Sequence, residues 1–257
     1  MPAADNASAE AAPTVRRYLG GVEAIERALD AAEAVRVLLV ERDDSDPSVL
    51  ALVARAEASG VRIWRGGPGD LRRMSRGEPE RVVAMVGPDP TPDFERVLTD
   101  GGAIWLLHRA RYPSNVGFAL RTAEVSGASA LIVDATFNHD ERSRVSHVSM
   151  GADRLLPLFY RSSEDVLTAA RAAGRRLVAL EDVGRHAPWQ VDLRGPLLLI
   201  AGSERHGLGQ DLLDRVDAVV RLPMAGFIPS YNLQAAIAAL SVERLRQSSS
   251  FQTTDGG

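Results

Sequence analysis

The sequence predicts an α/β protein whose C-terminal part is built on a parallel sheet and whose N-terminal part is a smaller α/β module. Three observations carry this: helical and strand patterns alternate along most of the chain, the strands from Ala103 onward are almost continuously apolar, and a proline- and glycine-rich stretch at 87–102 interrupts the alternation. Near-continuous apolar strands between amphipathic helices are what a parallel sheet covered on both faces requires.

The elements follow in order. The N-terminal MPAADNASAEAAPT has neither the basic region nor the apolar run of a secretion signal, and residues 1–13 read as a disordered tail. Residues 14–87 alternate a helix (GVEAIERALDAA), a strand (VRVLLV), a helix (SVLALVARAEASG) and two strands (VRIW, RVVAMV), the size of a small domain. The stretch 88–102, with prolines and a Gly-Gly pair, reads as a linker. Over 103–247 the strands AIWLL, ALIVD, RLVAL, PLLLIAG and AVVRLPM are separated by helical stretches such as EDVLTAARAAG. A last helix, NLQAAIAALSVERLR, spaces Leu233, Ala236, Ile237, Leu240 and Leu245 near the helical period. The polar residues 248–257 read as a second disordered tail.

Composition narrows the function. An apolar content of 45% and a charged content of 25% are those of a soluble globular protein, and no apolar run approaches the length of a membrane span. The absence of cysteine removes disulfides, thiolate nucleophiles and cysteine metal sites, which suits a cytoplasmic protein; five scattered histidines suggest no metal centre. A net charge of −4 argues against coating nucleic acid by bulk positive charge but leaves local recognition open. All 30 basic residues are arginine, whose planar fork suits bidentate phosphate contacts, although a codon bias explains the missing lysine equally well. Without lysine there is no P-loop, and neither strand–loop of the second half carries the G-x-G-x-x-G turn of a dinucleotide fold.

Three segments carry candidate chemistry. In YPSNVGFALRTAEVSGASALIVD (112–134), Ser114 and Asn115 are candidate helix caps, and Gly117 and Arg121 lie four apart, so Arg121 is expected to lean back over the bare glycine toward Asn115. A surface arginine paired with Glu124 is the plain alternative. In LLLIAGSERHGLG (197–209), a buried strand breaks into glycines around Ser203, Glu204, Arg205 and His206, where backbone can approach a ligand closely; a solvated connection is the alternative. In VVRLPMAGFIPSYNLQAAIAAL (219–240), a proline-restricted loop leads to Ser230, Tyr231 and Asn232 at the last helix; an N-cap role for Ser230 or Asn232 is the plain alternative.

In this order and at these distances, the three segments resemble the signature motifs of the SpoU/TrmH family of RNA 2′-O-ribose methyltransferases, in the SPOUT superfamily. Asn115, Gly117 and Arg121 resemble the first motif, AGSERHGLG is similar to the glycine–glutamate loop, and LPMAGFIPSYNLQAA is similar to the third motif; SMGADRLLP (149–157) also resembles the segment after the second strand. The resemblance covers roughly residues 103–245 and implies a SPOUT-type parallel sheet tied in a deep trefoil knot. It implies S-adenosylmethionine bound by Gly202, Leu222 and Tyr231, and a ribose 2′-hydroxyl served by Asn115, Arg121, Glu204, Ser230 and Asn232. A homodimer is implied, with the active site near the subunit interface. The N-terminal module is similar in size and position to the ribosomal-protein-like RNA-binding extension of many members, which favours rRNA over tRNA.

Two departures stand out. Tyr231 replaces the usual leucine of S-L-N, and the usual D-x-V approach to the first motif is replaced by LHRARYPSN with His108, Arg109 and Arg111. The two arginines are either phosphate contacts or an exposed charged loop. The alternatives to an RNA methyltransferase are a non-catalytic RNA-binding protein on the same fold and a methyltransferase acting on a small molecule.

Overall fold

A strand that is apolar at every position can be buried only where both faces of its sheet are covered, and the computed structural model has this arrangement for Ala103–Leu107. It describes residues 16–91 and 93–248. The tail expected at 1–13 lies outside the described residues, as does the one at 248–257 except for Ser248, which closes the last helix. The chain divides between Asp89 and Pro90 into two compact units.

In the first unit the order is β1 (Arg17–Gly20), α1 (Val22–Asp30), β2 (Val35–Glu41), α2 (Pro47–Ala58), β3 (Arg62–Gly66), α3 (Pro68–Met74) and β4 (Val82–Val86). The sheet order is β1-β4-β2-β3, with β4 antiparallel to both neighbours and β2 parallel to β3. One core lies between this sheet and α1 and α2, where Ile25, Leu38, Val40, Leu52 and Val82 meet. The opposite face carries Leu39 and Val83 under Leu71 of α3. β1 and α3 were not expected from the pattern: RYLG is too short and polar to announce a strand, and α3 begins within a Gly/Pro-rich run.

The second unit begins earlier than the composition suggests. Phe94–Thr99, inside the expected linker, forms α4; Asp93 caps it by accepting from the Arg96 N–H at 2.7 Å, and Phe94, Val97 and Leu98 are buried. Three apolar residues at helical spacing outweigh the prolines and glycines around them. The chain then runs β5 (Ala103–Leu107), α5 (Pro113–Val125), β6 (Ala130–Val133), α6 (His139–Val148), β7 (Leu158–Tyr160), α7 (Ser163–Ala172), β8 (Arg176–Leu180), β9 (Leu197–Ala201), α8 (Gln210–Leu213), β10 (Ala218–Val220) and α9 (Leu233–Ser248). The six strands are all parallel, in the order β10-β8-β9-β5-β6-β7. Trp105, Leu107, Leu131 and Leu199 face α5 and α9, while Ile104, Leu106, Ile132 and Ile200 face α4, α7 and α8.

One charged side chain lies inside this unit. Arg175 is 2% exposed and donates to five carbonyls, those of Val97, Leu98, Asp100, Gly102 and Leu197, at 2.5–3.1 Å. Burial pulls its pKa down to about 10, so it remains charged at neutral pH. It binds the free carbonyl end of α4 to the starts of β5 and β9.

Candidate active site

Strands β5, β6 and β7 build outward on one side of the second sheet, and β9, β8 and β10 on the other. In α/β sheets such a reversal opens a crevice at the carboxyl ends of the strands, where ligands bind. Here a cavity of about 610 Å³ opens at that place, lined by the loops after β8, β9 and β10 and by Tyr112 and Asn115 at the start of α5. Its size is within the range of small-molecule sites.

The loop after β9 is folded back tightly on itself. A Cβ on Gly202 would lie 2.3 Å from the Gly207 carbonyl carbon, and one on Gly207, whose φ is +57°, would lie 2.5 Å from Glu181 Oε2. Both positions need a missing side chain. Glu181 Oε2 also accepts from the Leu208 N–H at 2.7 Å, and Gly207 N–H donates to Ser203 O at 3.0 Å. The result is bare backbone along one wall of the cavity.

Asn115 Nδ2 donates to Glu204 Oε1 at 2.7 Å, joining the first and second sequence segments. The other carboxylate oxygen, Oε2, is buried and has no hydrogen-bond partner. An acceptor left in this state costs about 1–3 kcal/mol unless something donates to it. In the third segment, the Tyr231 hydroxyl donates to Pro223 O at 2.9 Å and closes the loop on itself. Asn232 takes the capping role: its Oδ1 accepts from Gln234 N–H at 3.1 Å and its carbonyl from Ala236 N–H at 3.0 Å.

Of the residues expected from sequence, Asn115, Gly202, Glu204, Leu222, Ser230, Tyr231 and Asn232 all line this one cavity. Arg121 does not. Its Nη1 donates to Met150 Sδ on the outer side of α5, so the expected return toward Asn115 is corrected. Six helical residues separate the two, which is about 240° of rotation and about 9 Å of rise. Gly117 has a different use: a Cβ there would lie 2.8 Å from Val145 O and from Val148 Cβ, so it is bare to let α6 pack. Neither Ser114 nor Asn115 caps α5, which starts at Pro113 with Tyr112 in the N-cap position and no side-chain bond.

Glu181 was missed by the sequence reading, although it lines the cavity and holds Leu208. The available signal was an acidic pair, Glu181-Asp182, directly after an apolar strand. Among the described residues no group of three or more His, Cys, Asp or Glu is arranged to hold a metal, and no helix is long and apolar enough to cross a membrane.

The profile of the SpoU rRNA Methylase family matches residues 103–241. The 23S rRNA (guanosine-2′-O-)-methyltransferase RlmB of Pseudomonas syringae pv. tomato is 30% identical over 237 residues, 89% of this chain and 95% of its own. Among solved structures, the SpoU methyltransferase AviRb from Streptomyces viridochromogenes superimposes with a TM-score of 0.56 at 28% identity, over 90% of this chain and 89% of its own. An AdoMet-bound rRNA methyltransferase from Sinorhizobium meliloti gives 0.57 at 25% identity, over 90% and 87%.

Proposed function

Because this chain belongs to the SpoU rRNA methylase family, we infer that it transfers the methyl group of S-adenosyl-L-methionine to a ribose 2′-hydroxyl of ribosomal RNA. The observation that carries the assignment to particular residues is the Asn115–Glu204 pair with its unpartnered Oε2, in the lining of a glycine-walled cavity.

The cavity suits the cofactor. Bare backbone at Gly202 and Gly207 can meet the polar edges of a nucleoside, Leu180, Leu222 and Tyr231 offer apolar contact, and Glu181, Asp182 and Glu204 supply negative charge for a cationic ligand. When bound, S-adenosylmethionine supplies a methyl group already activated by the positive charge on sulfur. The protein's work is then to hold the ribose in line and help its hydroxyl lose a proton. We assign Glu204 Oε2 as the acceptor for a donor on the RNA or for an arginine guanidinium, and Asn115 as the group that fixes its orientation. Ser230 and Asn232 shape the floor at the start of α9. A guanidinium is a poor proton acceptor, so Arg121 serves as a positioning group for ribose and phosphate rather than as a base.

A homodimer explains where Arg121 lies. Phe118, Arg121 and Val125 share one stripe of α5, and Phe118 and Val125 are exposed at 42% and 74%. An apolar stripe with an arginine at its centre suits a two-fold contact, in which Arg121 is offered to the partner's cavity. We also read the C-terminal path as the family's trefoil knot. In support, His186 after β8 bridges to Val220 of β10, and Gln247 near the end of α9 reaches back to the carbonyls of Pro188 and Val191. The first unit, 14–87 in our reading, is the RNA substrate-binding domain. A ribosomal RNA substrate sets the reaction in the cytoplasm, and the chemistry calls for no metal.

Labelled S-adenosylmethionine incubated with 23S rRNA and with tRNA tests the reading. Label is expected in 23S rRNA, with Glu204→Gln reducing kcat by about 10²-fold, as for loss of a charged acceptor that positions the reacting groups. Undiminished transfer by Glu204→Gln overturns the residue assignment; label in tRNA alone overturns the substrate.

A further inference from the structure

The departure His108-Arg109 before the first motif has no part in the chemistry above, yet it is anchored on both sides. His108 follows β5, and its N–H continues the strand ladder by donating to Ala201 O at 2.9 Å. Its Nδ1 lies 2.7 Å from Ser163 Oγ in the first turn of α7, and that hydroxyl donates at 2.6 Å to Asp134 Oδ2 at the end of β6. Because the hydroxyl hydrogen is directed to Asp134, the short contact requires Nδ1–H of His108 to donate to Ser163 Oγ. Burial lowers the pKa of His108, consistent with a neutral ring in this tautomer.

These three residue types also compose hydrolytic triads, but here the hydroxyl is bonded to the carboxylate and Ser163 is only 5% exposed, so it is no nucleophile. What the cluster does is tie the carboxyl ends of β5 and β6 to the start of α7. Ala110, two positions beyond His108, is buried as well.

Between these two anchors stands Arg109, exposed and with φ of +50°. Glycine enters that left-handed region freely, whereas a side chain meets steric resistance. Only three non-glycine residues have positive φ among the described residues. The Arg109 side chain has no ion pair or hydrogen bond among the described residues, and the same loop continues to Tyr112 and Asn115 in the cavity wall. A strained backbone whose side chain is left without such a partner points to a use outside the chain.

We propose that Arg109 contacts a phosphate of the substrate RNA beside the active site, and that His108, Ser163 and Asp134 are positioning residues that hold its backbone in the left-handed conformation. The proposal rests on the reading of the protein as an RNA methyltransferase and adds a determinant of substrate affinity to it. A free guanidinium at the rim attracts the polyanion where net charge does not, and its fork grips phosphate oxygens.

The test is retention of 23S rRNA on filters at several potassium chloride concentrations, by the full-length wild type, Arg109→Gln and Arg109→Gly, with methyl transfer and cofactor affinity measured in parallel. Both variants are expected to bind RNA several-fold more weakly, to lower the salt slope of log K by about 1, and to raise KM for RNA more than they change kcat. Arg109→Gly should also melt at or above the wild-type temperature, which separates lost contact from lost fold. His108→Ala should weaken RNA binding in the wild-type background and add nothing in the Arg109→Gln background. An unchanged salt slope in both Arg109 variants overturns the phosphate contact, and a His108→Ala effect that persists without Arg109 overturns the positioning role. If the wild type transfers methyl groups to rRNA and the Arg109 variants bind normally, the proposal alone fails. If the wild type neither binds nor methylates rRNA, the functional reading fails and takes the proposal with it.

Discussion

Asn115 and Glu204 are 89 positions apart and meet at 2.7 Å, so at the scale of single residues the site is made by pairs that no local pattern displays. What is legible locally is the need for particular shapes. Gly202 is the clearest case, since any side chain there would run into the backbone of Gly207. Gly202→Ala is therefore expected to weaken S-adenosylmethionine binding by more than about tenfold, measured by calorimetry, because the loop must open by more than a side-chain adjustment can supply. Near-wild-type affinity would show that the cofactor does not use this wall. Asn115, Glu204, Ser230 and Asn232 could be singled out because their motifs come in a recognisable order. Glu181 could not, since a carboxylate that supports a loop from a neighbouring strand leaves only an acidic pair after an apolar run. The direction of Arg121 was also beyond reach: spacing along α5 places it on a face, but the choice between Asn115 and Met150 depends on what packs beside that face.

At the scale of elements, length and burial decided which could be read in advance. Strands β5, β6, β8 and β9 are four or five residues each and buried throughout or nearly so, and the pattern identifies them. β7 has three residues and pairs only with β6, so neither length nor apolarity distinguishes LFY from a loop. Helix α4 was hidden by the turn-forming residues around it, and its attachment depends on a residue from far along the chain. Arg175 holds the carbonyls of Val97, Leu98 and Asp100 from a distance of more than seventy positions. Replacing it with methionine keeps much of the volume but removes the side-chain donor from all five carbonyls. Arg175→Met is expected to cost about 3 kcal/mol, read from chemical denaturation, with α4 losing amide-exchange protection first. A change below about 0.5 kcal/mol would mean that these carbonyls find water without difficulty.

For the whole molecule, the fold class was legible because a doubly covered parallel sheet leaves its mark on every strand, whereas strand order and the path of the last helix leave none. The proposed task of Arg121 is tested at the level of assembly. If it serves the partner's cavity, mixing Arg121→Ala with Glu204→Gln subunits should restore about a quarter of wild-type activity, since half the dimers are mixed and each of those has one complete site. Activity that stays at the level of the separate variants would assign Arg121 to its own subunit's cavity, or to none. The two kinds of recognition at the strand ends also differ in how they can evolve. The wall at Gly202 and Gly207 is defined by atoms that are not there, so every single substitution adds an obstruction and a ligand site that uses this wall has almost no neighbouring sequences to drift into. Arg109 is the reverse: its backbone conformation suits glycine better than arginine, so the side chain can be discarded without harm to the fold and replaced when a different RNA is to be met. Descendants of such a protein are free to change their substrate long before they can change their methyl donor.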